Sequence, residues 1–241
     1  MGKTGIIIPA RYKSTRLPGK LLMQACGKPI IQWVWEKAKQ VKSADMVLIA
    51  ADSTEVLDAA KGFGADAVMT SENCKSGSDR IAEAAKEYPE LEYIINVQGD
   101  EPMIAPECIE EAIRLIKEDK NADISTLVTK ITDEDLDDPN MVKCVFDING
   151  YALYFSRSKI PYERNYGIAE FYKHIGIYGY KREALYRMTK LEQPQMERAE
   201  SLEQLRALYN GMKIKTSIVK YNSIGIDTLE DFNAFKKLAE K

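Results

Sequence analysis

The sequence predicts an α/β fold: a doubly wound, mostly parallel sheet with a small hairpin or antiparallel subdomain. Three observations predict it. Short β-branched and aliphatic runs alternate with segments of helical apolar period through the first half of the chain. In the second half, Asn149-Gly150 separates two strand-like runs, the signal of an antiparallel hairpin with a two-residue turn. The first run, Ile6-Ile7-Ile8, passes directly into a turn-rich cationic segment, at the end of a strand where open parallel sheets bind their ligands.

The elements follow in order. Thr4 to Ile8 reads as the first strand. Lys28-Pro29 opens a helix with Ile30, Ile31, Val34 and Ala38 at helical spacing, ending near Lys42. Met46 to Ala51 is a second apolar strand. Asp52-Ser53 caps a helix with Val56, Leu57 and Ala60 inward, closed by Gly62 and Gly64. Ala67 to Met69 is a short strand, Asp79 to Glu87 a helix and Tyr93 to Val97 a strand. A helix begins at Pro106 and runs to about Asp119, and Ile124 to Val128 is again a strand. Lys143 to Asp147 and Tyr151 to Ser156 flank the Asn-Gly turn. His174 to Tyr180 is a strand rich in Tyr and Ile. Met196 to Tyr209 reads as one amphipathic helix with Ala199, Leu202, Leu205 and Leu208 on its apolar side. Ile214 to Val219 is a strand, and the last helix runs from Thr228, its N-cap, to Glu240. The hairpin and the aromatic strand are a small subdomain, a dimer surface or a plain extension of the core. No repeat or linker is visible, so the chain reads as one domain over 1–241.

Composition sets the outer bounds. A length of 241 residues fits one α/β domain with a substantial core. The formal net charge of −3 argues against a general nucleic-acid binder, which would be basic. No apolar run approaches the roughly 20 residues that span a bilayer, and the start of the chain reads as a strand rather than a signal peptide. The four cysteines, Cys26, Cys74, Cys108 and Cys144, lie far apart without a CxxC pair, which gives neither a zinc site nor a disulfide framework. Reduced thiols in the cytoplasm are the expectation.

Five stretches can carry chemistry. The segment Pro9 to Lys20 holds Arg11, Lys13, Arg16 and Lys20 with the hydroxyls of Ser14 and Thr15, and no acidic residue occurs before Glu36. Fixed cations, free backbone N–H groups and a tight turn suit a nucleoside triphosphate; a solvated basic loop is the plainer alternative. Gly2-Lys3-Thr4 resembles the end of a P-loop but lacks the upstream glycine and strand, and no GxGxxG follows the first strand. In Asn96-Val97-Gln98-Gly99-Asp100-Glu101-Pro102, Asp100 follows a buried strand and is either a ligand for Mg²⁺ or a turn residue. Asp227, in Ser223-Ile224-Gly225-Ile226-Asp227-Thr228, follows a second apolar run and presents the same pair of readings. Two such aspartates with a phosphate-type loop make a consistent metal–triphosphate arrangement. The Lys75-Ser76-Gly77-Ser78-Asp79-Arg80 loop exposes backbone groups able to read a base edge, with Arg80 as a donor fork, or is an ordinary N-cap. Finally, Arg157 at a strand end suits a carboxylate. His174, the single histidine, is a catalytic group or a satisfied structural residue. Glu200 and Glu203, one turn apart on a helix, can accept from sugar hydroxyls or form a solvated face.

These blocks also carry a resemblance. IIPARYKSTRLPGK, SGSDRIAEA, NVQGDEPMI, ALYFSRSKIP, HIGIYGY, LEQLR and GIDTLED occur in the order found in 3-deoxy-manno-octulosonate (Kdo) cytidylyltransferases, the CMP-Kdo synthetases, and the resemblance runs almost end to end. It implies a nucleotidyltransferase-type sheet and a transferase that joins CTP and a 3-deoxy-2-ulosonic acid into a CMP-sugar and pyrophosphate, for lipopolysaccharide or capsule biosynthesis. It implies that Arg11, Arg16 and Lys20 bind the CTP phosphates with Ala10 close to the nucleotide. Ser76 and Arg80 would help to read cytosine, and Asp100 and Asp227 would hold Mg²⁺. Gln98, Arg157, His174, Glu200 and Glu203 would face the sugar acid, with Gln98 also near the nucleotide. Lys20, Arg11, Asp100 and Asp227 are then the catalytic set. A homodimer is implied, with residues of about 143–195 as a sugar-binding or dimerisation insertion. The chain departs from the family pattern at Ser78, Ile226 and Leu229, where Thr, Val and Pro are common, and is short between Pro161 and His174. A cytidylyltransferase for a nine-carbon ulosonate such as sialic or pseudaminic acid, and a non-catalytic nucleotide-binding module, remain the alternatives at this point.

Overall fold

From Thr4 to Ala10 every residue of the first strand, β1 (Lys3–Ala10), is buried. A strand covered on both faces must be apolar on both, and Ile6-Ile7-Ile8 meets that demand with no polar alternation. The computed structural model describes residues 2–14, 16–131, 136–221 and 225–240. The chain divides into two compact units, Met1–Glu110 with Ser223–Lys241, and Glu111–Asn222. The second unit takes in the 143–195 stretch and extends past it at both ends.

After β1 the first unit runs through β2 (Gln24–Ala25), β3 (Lys28–Pro29), α1 (Ile30–Ala38), β4 (Met46–Ala51), α2 (Thr54–Gly62), β5 (Asp66–Met69), α3 (Gly77–Ala84) and β6 (Leu91–Asn96). The division between the units falls within α4 (Pro106–Glu118). The second unit continues with β7 (Ile124–Lys130), β8 (Lys143–Phe146), β9 (Ala152–Ser156), β10 (Tyr172–Lys181), α5 (Arg182–Thr189), α6 (Gln195–Glu200), α7 (Gln204–Tyr209) and β11 (Ile214–Ile218). α8 (Leu229–Ala239) belongs again to the first unit.

In the first unit the strands lie in the order β6-β1-β4-β5, all parallel, with Ile7 opposite Leu48 on one side and Asn96 on the other. The chain leaves β1 to one side for β4 and later pairs β6 on the other side. This reversal of strand order opens a crevice at the carboxyl ends of β1 and β6. The basic loop leaves from the first of these ends and Gln98-Gly99-Asp100 from the second. In the second unit β11 runs parallel to β7, β10 antiparallel to β7, and β8 pairs antiparallel with both β10 and β9. The expected class, a mostly parallel α/β sheet with a small antiparallel hairpin, is the class observed.

Several local expectations are corrected. Lys28-Pro29 does not open α1 but pairs with Gln24-Ala25 across Cys26-Gly27, whose φ angles of 51° and 76° make a left-handed two-residue turn. α1 ends at Ala38, where a tighter turn (Val41 N to Ala38 O, 3.2 Å) buries Val41 instead of prolonging the helix. α3 starts two residues early because Ser76, not a residue nearer Asp79, caps it, its Oγ accepting from Asp79 N at 3.1 Å. The β8–β9 turn is longer than two residues: the Asp147 carboxylate accepts from Asn149 N and Tyr151 N, closing a loop with Gly150 at φ 77°. The single helix expected over 196–209 is two, α6 and α7, broken by Ser201 in the left-handed region at φ 51°. Arg206 then reaches back to Glu197 in a buried two-pronged ion pair (2.6 and 2.9 Å). Leu202 and Leu205 are buried as expected, but Ala199 is exposed.

Gly99 marks a close approach. A β-carbon there would stand 2.9 Å from the Pro9 carbonyl oxygen and 3.2 Å from Ile31 Cδ1. Gly99→Ala is expected to cost about 1–3 kcal/mol, the range for overpacking a filled interior. Chemical denaturation that finds the variant as stable as the parent would contradict this packing.

Candidate active site

The basic loop is pinned at its neck. Tyr12 N donates to Asp52 Oδ1 at 2.8 Å, and Gly19 N donates to the Tyr12 carbonyl at 3.1 Å. Gly19 sits at φ 66°, a left-handed conformation that glycine adopts without a steric cost. A 3₁₀ turn over Lys20–Leu22 follows and carries the Lys20 side chain inward. Its ammonium donates to Asp100 Oδ2 at 2.6 Å, Asp227 Oδ1 at 3.0 Å and the Ile226 carbonyl at 2.8 Å. Burial alone would lower the Lys20 pKa; Asp100 and Asp227 outweigh it, and the ammonium is held above its ordinary value. Arg16 Nη2 reaches Asp227 Oδ2 at 2.9 Å.

The two aspartates are fixed by backbone and capping bonds. Asp100 leaves the loop after β6, and its carbonyl accepts from Ile226 N at 2.9 Å, so the chain before Asp227 is tied directly to Asp100. Asp227 precedes Thr228, which caps α8 in a reciprocal box with Asp231. Asp231 Oδ2 also accepts from Asp227 N at 3.1 Å. Asp231 and Asp52 are positioning residues of this region. Asp52 follows a buried strand just as Asp100 does, so the same signal could have found it. The hydroxyl of Thr15 and the residues Ser223 and Ile224 lie outside the described residues.

These groups line a cavity of about 410 Å³ bounded by Pro9, Ser14, Leu21, Gly77 and Gly99, with Gln98, Arg11, Lys13, Arg16, Lys20, Asp100 and Asp227 supplying its polar wall. Four cations face two carboxylates, an excess of positive charge that suits a polyanion. The acceptors around the Lys20 ammonium are all oxygen: two carboxylates and a carbonyl. That is the chemistry of a hard divalent cation, and one or two carboxylates suffice where phosphate oxygens complete the shell. Among the described residues no group of three or more His, Cys, Asp or Glu could hold a metal ion.

Three further residues expected at the nucleotide, Ala10, Ser76 and Arg80, are not among those lining the cavity. Ala10 is fully buried at the end of β1, and its carbonyl accepts from Asp52 N at 3.2 Å. Ser76 caps α3, while its neighbour Gly77 lines the cavity. Arg80 is fully buried beneath the loop, donating to Thr70 Oγ1 (2.6 Å) and the Ser71 carbonyl (3.3 Å), with Nη2 3.6 Å from Asp52 Oδ2. Its Nε and Nη2 have no hydrogen-bond partner among the described residues.

In the second unit, Arg157 and Glu200 are joined. Glu200 accepts from Ser156 Oγ at 2.6 Å and Arg157 N at 2.9 Å, and its carbonyl accepts from Arg157 Nε at 2.7 Å. Glu203 is at the N-cap position of α7, so Glu200 and Glu203 do not share one helix face. The left-handed Ser201 between them is the reason. His174 packs edge-on against Phe155 and beside Tyr178, with ring centroids 5.1 and 5.2 Å away. Its Nε2 is 2.9 Å from Thr126 Oγ1, whose single proton is directed to the Ile177 carbonyl at 2.7 Å. Nε2 is therefore the donor, and Nδ1 is left as an acceptor. Burial, with Lys173 adding to it, pushes the His174 pKa down to about 3.

A family model described as cytidylyltransferase matches residues 5–214. A 3-deoxy-manno-octulosonate cytidylyltransferase of Francisella tularensis is 47% identical over 248 aligned positions, covering 99% of each chain. Its counterpart from Thermodesulfovibrio yellowstonii is 49% identical over 245 positions, covering 96% of each. A solved CMP:2-keto-3-deoxy-manno-octonic acid synthetase complexed with CTP superposes with a TM-score of 0.96 at 41% identity, over 99% of this chain and 98% of that one. The parallel sheet and the cationic loop at its switch point are those of a nucleotidyltransferase. More narrowly, the chain belongs to the cytidylyltransferase family, among the 3-deoxy-manno-octulosonate cytidylyltransferases.

The imidazole gives a pH test. An unfolded histidine takes a proton near pH 6.5 while the native ring does not. His174 therefore lowers stability as pH falls from about 6.5 towards about 3, and adds no pH dependence above that window. Because the chain has one histidine, its imidazole NMR signals are unambiguous. They are expected to stay unshifted from pH 8 to pH 5; a titration midpoint near 6.5 would contradict the neutral assignment.

Proposed function

We propose that this chain transfers the cytidylyl group of CTP to 3-deoxy-manno-octulosonate, giving the CMP-sugar and pyrophosphate for lipopolysaccharide or capsule synthesis. The observation that carries the proposal is the meeting of Asp100 and Asp227 on one cation, the Lys20 ammonium, in a cavity walled by Arg11, Lys13 and Arg16. The relatives' substrate and the CTP in the matching solved synthetase support it.

The chemistry is an in-line displacement. The anomeric hydroxyl of the sugar acid attacks the α-phosphorus, one P–O bond forms, the bond to the β-phosphate breaks and pyrophosphate leaves. Catalysis of this kind is mainly positioning and charge neutralisation. Arg11 and Arg16 neutralise the β- and γ-phosphates, and Lys20 steadies the α-phosphate. Gln98 and the backbone around Gly77 face the nucleotide. Asp100 and Asp227 would hold Mg²⁺, which supplies charge neutralisation and lowers the pKa of the attacking hydroxyl. In the second unit Arg157 anchors the sugar carboxylate, and the neutral His174 accepts from a sugar hydroxyl through Nδ1. The working form is a homodimer in the cytoplasm; among the described residues no helix is long and apolar enough to cross a membrane.

Asp100→Asn is expected to lower turnover at least about a hundredfold, the scale for losing one preorganised electrostatic group. A change of melting temperature of only a few degrees is expected to accompany it. The measurement is pyrophosphate release with CTP, Mg²⁺ and a panel of eight- and nine-carbon ulosonates. Near-parental turnover in the variant, or no turnover by the parent with the eight-carbon acid, would overturn the proposal.

A further inference from the structure

Lys143, the first residue of β8, is fully buried, and no carboxylate among the described residues pairs with it. Its ammonium donates instead to three main-chain carbonyls: Asp138 at 2.9 Å, Met141 at 2.7 Å and Arg157 at 2.8 Å. Burial pushes its pKa down, and the aspartates at 137 and 138 only partly offset this. A buried ammonium bound only to neutral carbonyls is costly, and an apolar side chain would fill the same space without that cost. What the charge accomplishes is specific: it ties the end of β9 to the 138–141 turn.

Arg157 is the residue those ties converge on. Its carbonyl is taken by Lys143, its N–H by the Glu200 carboxylate, its Nε by the Glu200 carbonyl and its Nη1 by the Pro139 carbonyl at 2.9 Å. Pro139 sits in the very turn that Lys143 holds on both sides. Backbone and guanidinium are thus fixed together, while Nη2 has no partner among the described residues. A guanidinium restrained in this way, with one nitrogen's donors unspent, is preorganised for one oxyanion.

We propose that Lys143 and Glu200 are positioning residues that aim Arg157 at the carboxylate of the sugar acid. The inference rests on the proposed role of Arg157 as the carboxylate anchor and deepens it. It also reassigns Glu200: with its oxygens on Ser156 Oγ and Arg157 N, it acts through Arg157 rather than on sugar hydroxyls.

The test is a double-mutant cycle on the full chain, reading KM for the sugar acid, KM for CTP, kcat and melting temperature. Lys143→Met and Glu200→Gln are each expected to raise the sugar KM about tenfold or more, as small misplacements of a binding group do. The CTP KM, set in the first unit, is expected to move less than about twofold. In an Arg157→Ala background, neither change is expected to raise the sugar KM further, because the group they aim is gone. Glu200→Gln carries the cycle alone if Lys143→Met fails to fold. If Arg157→Ala raises the sugar KM but the other two leave it unchanged, or add to it in full, the positioning role is overturned. If Arg157→Ala itself leaves the sugar KM unchanged, the carboxylate anchor is wrong and the positioning role falls with it.

Discussion

The first unit depends on one ammonium group. Lys20 joins two carboxylates and a carbonyl from segments 80 and 207 residues away along the chain. Each contact brings together loops that local structure would leave apart. The loop-closure entropy that this opposes is met elsewhere, by the apolar strands β1, β4 and β6 and by the capping of α8. The ammonium therefore does not drive folding; it fixes where loops of an already determined sheet end.

That arrangement also explains the electrostatics of the cavity. Two aspartates beside four cations would, by themselves, weaken a site for a polyanion. Gathered on Lys20 and Arg16, they leave Arg11 and Lys13 on the wall outside that cluster, Lys13 in an exposed ion pair with Glu72 at 3.5 Å. The same oxygens form a hard donor set for a divalent cation. The proposed Mg²⁺ would therefore compete with the Lys20 ammonium for one pair of carboxylates. In the second unit a single arginine, Arg157, is held by two main-chain carbonyls and one carboxylate, so its position is set by backbone rather than by a cluster of charges.

Much of this was legible in the sequence for physical reasons. Strands buried on both faces carry continuous apolar runs, so β1 and β4 were readable. A carboxylate shortly after such a strand marks the ligand edge of the sheet, which singles out Asp100 after β6; the short apolar run before Asp227 is no strand, and Asp227 is held there by the Ile226–Asp100 backbone bond and the capping of α8. What escaped were features set by single backbone angles or by tertiary partners. Ser201 is an ordinary helix residue by propensity, and only its left-handed φ splits α6 from α7, separating Glu200 from Glu203. Cys26-Gly27 lacks the Asn-Gly signature, yet makes the two-residue turn, while Asn149-Gly150 sits in a longer loop organised by Asp147. In the sequence Lys143 is only the start of a strand; its burial and its bonds to three main-chain carbonyls depend on how the preceding turn and the end of β9 fold around it, which residue pattern does not encode. The burial of Arg80 against Thr70 and Asp52 likewise comes from tertiary partners that the residue pattern does not show.

The most direct measurement is a crystal structure of the chain grown with CTP and Mn²⁺, with the ion located by its anomalous scattering. One ion ligated by both Asp100 and Asp227 is expected, at roughly 2.0–2.3 Å from their oxygens as for a small hard cation, with the Lys20 ammonium moved onto a phosphate oxygen. An ion held by neither or only one of these aspartates, or a triphosphate lying away from Arg11, Arg16 and Lys20, would contradict it.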